Sequence, residues 1–220
     1  MRGTTSAIRI PAGPVMLEGE LSIPHEAKGL VLFAHGSGSS RHSPRNQFVA
    51  NVLQDAGIAT LLFDLLTKEE ETADRYTGHL RFDIALLASR LMRAMDAMED
   101  EPEACKLNVG FFGSSTGGGA ALMAAAELGE DVRAVVSRGG RPDLAGHALR
   151  RVSAATLLIV GGDDEIVINL NEQAMRALHC EKRLLVIPGA SHLFEEPGTL
   201  DQAAHAAADW FAAHLPDPGL

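Results

Sequence analysis

Two cysteines in 220 residues exclude a fold built on a disulfide framework. Cys105 and Cys180 form no C-x-x-C pair, and no histidine cluster accompanies them at metal-ligand spacing. Each is expected to act as a small buried or half-buried hydrophobe, leaving at most one bridge open; no metal and no other cofactor is expected. Also missing is any apolar run near the roughly eighteen residues that a membrane helix needs. The first residues lack the apolar core of a secretory signal, so a cytoplasmic protein without a membrane partner is expected. Positive charge is scarce too. Nineteen Lys and Arg stand against 29 Asp and Glu, for a net charge of −10, which argues against a nucleic-acid partner. The acidic runs Glu69-Glu70-Glu71 and Glu99-Asp100-Glu101 read as solvated surface. Neither an internal repeat nor a linker divides the chain, so one domain over residues 1–220 is expected.

Apolar residues make up 46% of the sequence, enough for one sizeable core. Short apolar runs alternate with amphipathic stretches, the pattern of an α/β protein with a mostly parallel central sheet flanked by helices. Strands are expected at 7–10 and 15–23 as an antiparallel entry pair, then at 30–34, 60–64, 109–113, 132–137, 156–161 and 183–187. A helix capped by Ser43, started by Pro44 and stopped by Gly57 should face inward with Phe48, Val49, Val52 and Leu53. Residues 67–79 read as irregular. From about Arg81 a long helix should bury Ile84, Leu87, Leu91, Met95 and Met98, spaced three and four apart. Further helices are expected at 116–128, 169–178 and 200–214, the last packing Trp210 and Phe211 on the sheet. The tail, 216–220, should fray. Only about one helix fits between the strands at 132–137 and 156–161, so no large lid domain is expected.

The sharpest chemical signal is Gly113-Ser114-Ser115-Thr116-Gly117, a G-x-S-x-G that follows a buried strand and opens a small-residue helix. A serine hydroxyl is a weak nucleophile and must stand clear of the chain, within reach of a base. A tight strand-to-helix turn achieves this by straining the serine backbone, and side chains two residues either side would collide. Only Ser115 is centred, because Ser114 would need glycine where Phe112 stands. Two more strand ends complete the pattern in the order serine, acid, histidine. The strand at 156–161 runs into Gly162-Asp163-Asp164, and that at 183–187 into Pro188-Gly189-Ala190-Ser191-His192. His192 would take the proton from Ser115 while a carboxylate holds its tautomer. Of the other histidines, His35 and His79 are the two that could also face the cleft. The backbone N–H groups of Thr116 and of Ser37, in the glycine-rich loop after strand 30–34, are the expected oxyanion donors. Arg41, Arg45, Arg138 and Arg141 follow strands on the same side. They either hold a substrate anion or pair with acids such as Asp143 or Glu165.

Together, Val31-Leu32-Phe33-Ala34-His35-Gly36, the turn around Ser115, Asp164-Glu165-Ile166-Val167 and Ser191-His192 resemble the α/β-hydrolase superfamily. Small size and the missing lid look most like its dienelactone-hydrolase-like group. That resemblance implies the α/β-hydrolase fold and a catalytic triad of Ser115, Asp164 and His192. It favours Asp164 over Asp163, since Gly161, Asp164 and Val167 match the family's G-x-x-D-x-x-V. Known dienelactone hydrolases carry a cysteine where this chain has Ser115, so the resemblance implies catalytic logic and not their substrate.

The expected function is therefore hydrolysis of a small-molecule carboxylic ester through an acyl-enzyme. Thioester, lactone or amide hydrolysis by the same triad, and a non-catalytic binding protein of this fold, are the alternatives. A dinucleotide site at Gly36-Ser37-Gly38 is disfavoured, because Arg41 replaces the third glycine and the helix signal starts too late. Oligomeric state is not legible.

Overall fold

A computed structural model describes residues 3–215, and the expectation that 216–220 frays lies outside them. Its strands are β1 (Thr4–Ala12), β2 (Val15–Ile23), β3 (Leu30–Ala34), β4 (Ala59–Phe63), β5 (Val109–Ser114), β6 (Val132–Arg138), β7 (Ala155–Gly161) and β8 (Lys182–Ile187). The helices are α1 (Pro44–Asp55), α2 (Lys68–Thr77), α3 (Ile84–Met98), α4 (Thr116–Leu128), α5 (Glu165–Ala177) and α6 (Thr199–His214). All eight strands form one sheet in the order β1-β2-β4-β3-β5-β6-β7-β8. The run from β4 to β8 is parallel, and β1 and β2 are antiparallel.

Strands β3, β4, β5 and β7 are buried at every position, as strands covered on both faces must be. The two-residue period then splits each strand between two cores. Leu30, Leu32 and Phe111 pack on one face against Leu87 and Leu91 of α3 and Leu122 of α4. Val31, Phe33 and Phe112 pack on the other against Val49 and Leu53 of α1 and Phe211 of α6. Burying each such side chain contributes about 1.5–3 kcal/mol. Phe211 is buried as expected, and Trp210 donates its indole N–H to the Ala155 carbonyl at 3.1 Å.

Several local expectations need correction. Phe48 faces outward at 38% exposure, because Ala50 and not Phe48 joins Val49 and Leu53 on the inward face of α1. The Ser43 hydroxyl makes no capping bond. Helix α5 starts four residues early, at Glu165, since Asp164 caps it. Between β6 and β7 lie 3₁₀ turns over Pro142–Arg151 rather than an α-helix. Cys105 is exposed and Cys180 half-buried, and both are free thiols. Among the described residues, no helix is long and apolar enough to cross a membrane.

The largest correction concerns 67–79, which is not irregular. Thr67 and Glu70 form a reciprocal capping box, three acids occupy the first turn of α2, and Gly78 closes it in the left-handed region. Nor is the acidic run mere surface. Arg90 of α3 grips Glu70 at 2.7 and 2.5 Å and also donates to the Leu65 carbonyl at 2.6 Å. Asp74 is buried, accepting from Arg81 and from the backbone N–H groups of Leu80 and Arg81. Burial pushes both carboxyls up. Hydrogen bonds to Arg90 and Thr67 outweigh that for Glu70, and those to Arg81, Leu80 and Thr77 for Asp74, leaving both below the usual range. Carboxyls depressed in the fold contribute fully above the unfolded range, and that stability is lost as pH falls through their folded values.

Glu70→Ala leaves the Arg90 charge buried without its partner. We expect a loss of about 3–5 kcal/mol in urea unfolding at neutral pH, shrinking as the pH is lowered through the carboxylate range. A loss under about 1 kcal/mol would return this run to ordinary surface.

Candidate active site

Strands β3 and β5 are neighbours, yet the chain leaves β3 for β4 on one side and β5 for β6 on the other. Such a switch point opens a crevice beyond the carboxyl ends of the strands, where open α/β sheets place ligands. The loops after β3, β5, β6, β7 and β8 all end there. They bring Ser37, Ser115, Arg138, Asp164 and His192 to one edge of the sheet.

Ser115 sits between β5 and α4 with φ 51° and ψ −122°, a conformation that costs a non-glycine residue of order 1–3 kcal/mol. The surroundings enforce it. A Cβ at position 113 would lie 2.5 Å from the Gly117 carbonyl oxygen, and one at 117 would lie 2.0 Å from that of Ala34. From the other side, Ser115 N–H donates to the Arg138 carbonyl at 3.3 Å, and its own carbonyl accepts from Arg141 at 3.0 Å.

The acid and the base meet because two loops are laced together. Gly162 N–H donates to Ile187 at 2.8 Å and Asp163 N–H to Ala190 at 3.0 Å. His192 Nδ1 then lies 2.7 Å from Asp164 Oδ2. A carboxylate only accepts, so Nδ1 carries the proton and Nε2 is left to act as a base. The other Asp164 oxygen caps α5 by accepting from Val167 N–H at 3.4 Å. Among the described residues Asp163 makes no side-chain contact of this kind, so Asp164, the acid that the family resemblance favours, is the one the structure brings to His192. Ser115, Ser37 and His192 line one cavity of about 270 Å³. Among the described residues no hydrogen bond joins Ser115 Oγ to His192, a contact that often tightens only with substrate bound.

The loop after β3 approaches the turn closely, but the N–H of Ser37, the expected oxyanion donor, is already engaged. Its N–H points at Thr116 Oγ1, 2.9 Å away, so the Thr116 side chain competes with any oxyanion for it. Thr116 N–H opens α4 and has no intrahelical acceptor. His35 has a structural part. It is buried, its Nδ1–H donates to the Gly36 carbonyl at 3.0 Å, and its Nε2 accepts from Leu65 N–H at 2.9 Å. Burial holds its pKa down, against smaller upward pulls from the Gly36 carbonyl, Asp64 and Glu71. His79 is not in the cavity wall.

Sequence reasoning missed Glu196, whose carboxylate accepts Ser191 N–H at 2.9 Å and so braces the loop carrying His192. That bond comes first among those holding the Glu196 carboxyl below its usual range. A lone glutamate four residues past the histidine gives no signal of its own in the sequence.

The sequence profile described as the dienelactone hydrolase family matches residues 17–215. A solved dienelactone hydrolase from Anabaena variabilis is 60% identical, covering 98% of this chain and 100% of that one, with a TM-score of 0.95. Est1E from Butyrivibrio proteoclasticus shares the fold at 15% identity and TM-score 0.79, over 94% of this chain and 98% of its own. Two Mycobacterium tuberculosis proteins, from strains CDC 1551 and H37Rv, are 57% identical over 212 residues and carry the name "Putative phosphoribosyl transferase". The match covers 96% of this chain but 47% of theirs, so the chain spans about half the length of these curated relatives.

The Asp164–His192 bond can be read directly. A downfield imidazole Nδ1 proton should be visible by NMR in the native protein, persist in Asp163→Asn and vanish or move upfield in Asp164→Asn. The opposite ranking would show that the neighbouring acid holds the ring.

Proposed function

Because the chain belongs to the dienelactone hydrolase family, we propose that it is a serine hydrolase cleaving carboxylic esters, with Ser115 as nucleophile, His192 as base and Asp164 orienting it. The observation that carries this reading is the strained Ser115 facing the same cavity as a histidine whose far nitrogen is bonded to a carboxylate. No structural need explains a non-glycine residue at positive φ there, whereas presentation of a nucleophile does.

In the first half-reaction Ser115 Oγ bonds to the ester carbonyl carbon as its proton passes to His192 Nε2. The carbonyl oxygen becomes an oxyanion beside Thr116 N–H at the positive end of α4. Ser37 N–H joins it once the bond to Thr116 Oγ1 is given up. The C–O bond to the alcohol then breaks, and His192 returns the proton to the departing oxygen. Water repeats the sequence in reverse, breaking the Ser115 ester and releasing the acid. Thioesters, lactones and amides present the same carbonyl and are the alternative substrates.

Two other readings are weaker. A non-catalytic binding protein does not need the strain at Ser115. The phosphoribosyl transferase name belongs to proteins twice as long, and nothing ties that chemistry to the matched half.

A fluorophosphonate probe should label Ser115 alone, and Ser115→Ala should lower ester turnover about a millionfold while the fold persists. An unlabelled native protein, or full activity after the change, would overturn the assignment. Acyl length is a separate prediction. Among the described residues only the 3₁₀ turns over Pro142–Arg151 lie between β6 and β7, so no large lid domain is inserted there, and each methylene adds about 0.8 kcal/mol only where it is enclosed. Short p-nitrophenyl esters should therefore be cleaved faster than esters of about twelve carbons, and the reverse order would reveal an apolar tunnel.

A further inference from the structure

Of the four arginines that follow strands on the catalytic side, three have acids of their own. Arg41 is held by Asp64 and, at 2.7 Å, by Glu18. Arg141 makes a two-point bond to Asp143 at 2.8 and 2.7 Å. Arg45 reaches Glu195 at 3.2 Å in a solvent-exposed pair. Arg138 is different. It is 6% exposed, its Nε and Nη1 are buried without a hydrogen-bond partner, and among the described residues no carboxylate meets it. Its guanidinium carbon stands 5.6 Å from the centre of the Phe194 ring.

Position adds to the anomaly. Arg138 is the last residue of β6, paired in register with Ser114, and it lines the cavity that holds Ser115 and His192. Arg45 lines that cavity too, with Ser43 and Asn46 from the start of α1. The first turn of α1 carries no acidic residue, Pro44 has no N–H, and the Ser43 side chain leaves the Arg45 and Asn46 N–H groups uncapped. A helix start of this kind favours an anion. Among the described residues no Asp or Glu belongs to the cavity wall, although acids outnumber bases 29 to 19 in the chain.

We propose that Arg138, Arg45 and the N-terminus of α1 form a phosphate subsite in the catalytic cavity, so that the substrate is a carboxylic ester or lactone bearing a phosphate monoester group. The statement about substrate rests on the Ser115 reading; the anion site does not. Burial, then the charge of Arg45, pushes the Arg138 pKa down to about 10, so the side chain stays cationic at neutral pH. Two guanidinium charges, helix-end N–H groups and the Ser39 and Ser43 hydroxyls suit a dianion with three accepting oxygens. A carboxylate, with one charge and two oxygens, would leave much of this set unmatched. Arg45 can turn to the ligand because its exposed pair with Glu195 is worth little.

The test measures binding first. Inorganic phosphate is titrated into the native protein by calorimetry and by 31P NMR, with acetate as the carboxylate control. Phosphate should bind more tightly than acetate. Arg138→Met, which keeps volume and removes an unpaired buried charge, should weaken phosphate about ten- to hundredfold, and Arg45→Met by less. Should Arg138→Met fail to fold by circular dichroism, Arg138→Lys serves, with a loss of about tenfold expected from the broken fork. Phosphate should also compete with p-nitrophenyl acetate, with the same ranking of variants. No binding, equal binding by native and variant proteins, or binding without competition would overturn the subsite. Acetate binding as tightly as phosphate would overturn the phosphate assignment. Phosphate binding by a protein that no fluorophosphonate labels would leave the subsite standing and sink only the Ser115 reading.

Discussion

A side chain at position 113 or 117 has no space, and the whole catalytic edge depends on that. With both positions bare, β5 turns into α4 within one residue, and that residue is forced to φ 51°. The turn then serves as an anchor for its neighbours. Its carbonyl takes Arg141, its N–H takes the end of β6, and the start of α4 takes Ser37 from the β3 loop. Loosening the elbow would therefore displace the loop after β3 and Arg138 together with Ser115.

The same economy holds on the far side of the cavity. Asp164 caps α5 with one oxygen and holds His192 with the other, so the helix register and the imidazole orientation are one fact. Behind the loop after β3, His35 is tied to Leu65, Leu65 to Arg90, and Arg90 to Glu70. The chain of bonds runs from the cleft to α2. Rigid support of this kind is what lets a site hold groups within a fraction of an ångström.

What was legible in the sequence follows from where the information is local. Strands β2 and β3 and helix α4 were legible to the residue, because an alternating strand bounded by turn residues, an unbroken apolar run and a small-residue helix admit few alternatives. Ser115 and His192 were legible as candidates because each sits in a turn just past a strand, whereas Asp164 was separated from Asp163 only by the family resemblance. Helix α2 was not legible, since its polar sequence hides a capping box and an ion pair whose partner, Arg90, lies twenty residues away. The bond that occupies Ser37 N–H was hidden for a similar reason. Its acceptor Thr116 is distant in sequence and becomes a neighbour only across the switch point. Glu196 gives no pattern at all until the loop closes on Ser191.

The arginines show most clearly why such pairings decide meaning. Four arginines at strand ends are indistinguishable as letters, yet the fold supplies acids to Arg41, Arg141 and Arg45 and none to Arg138. Burying an unpaired guanidinium is among the costlier things a fold does, with an effective penalty of several kcal/mol per ion. A chain with 29 acidic residues has ample means to neutralise it, as the other three arginines demonstrate. Packing does not require the charge either, because a methionine would fill comparable space beside Phe194. A rule observed three times and broken once, at the wall shared with Ser115 and His192, concentrates the destabilisation at the catalytic cavity. Departures of that kind gather where a ligand completes the structure. The missing partner of Arg138 is best understood as an anion that arrives with the substrate.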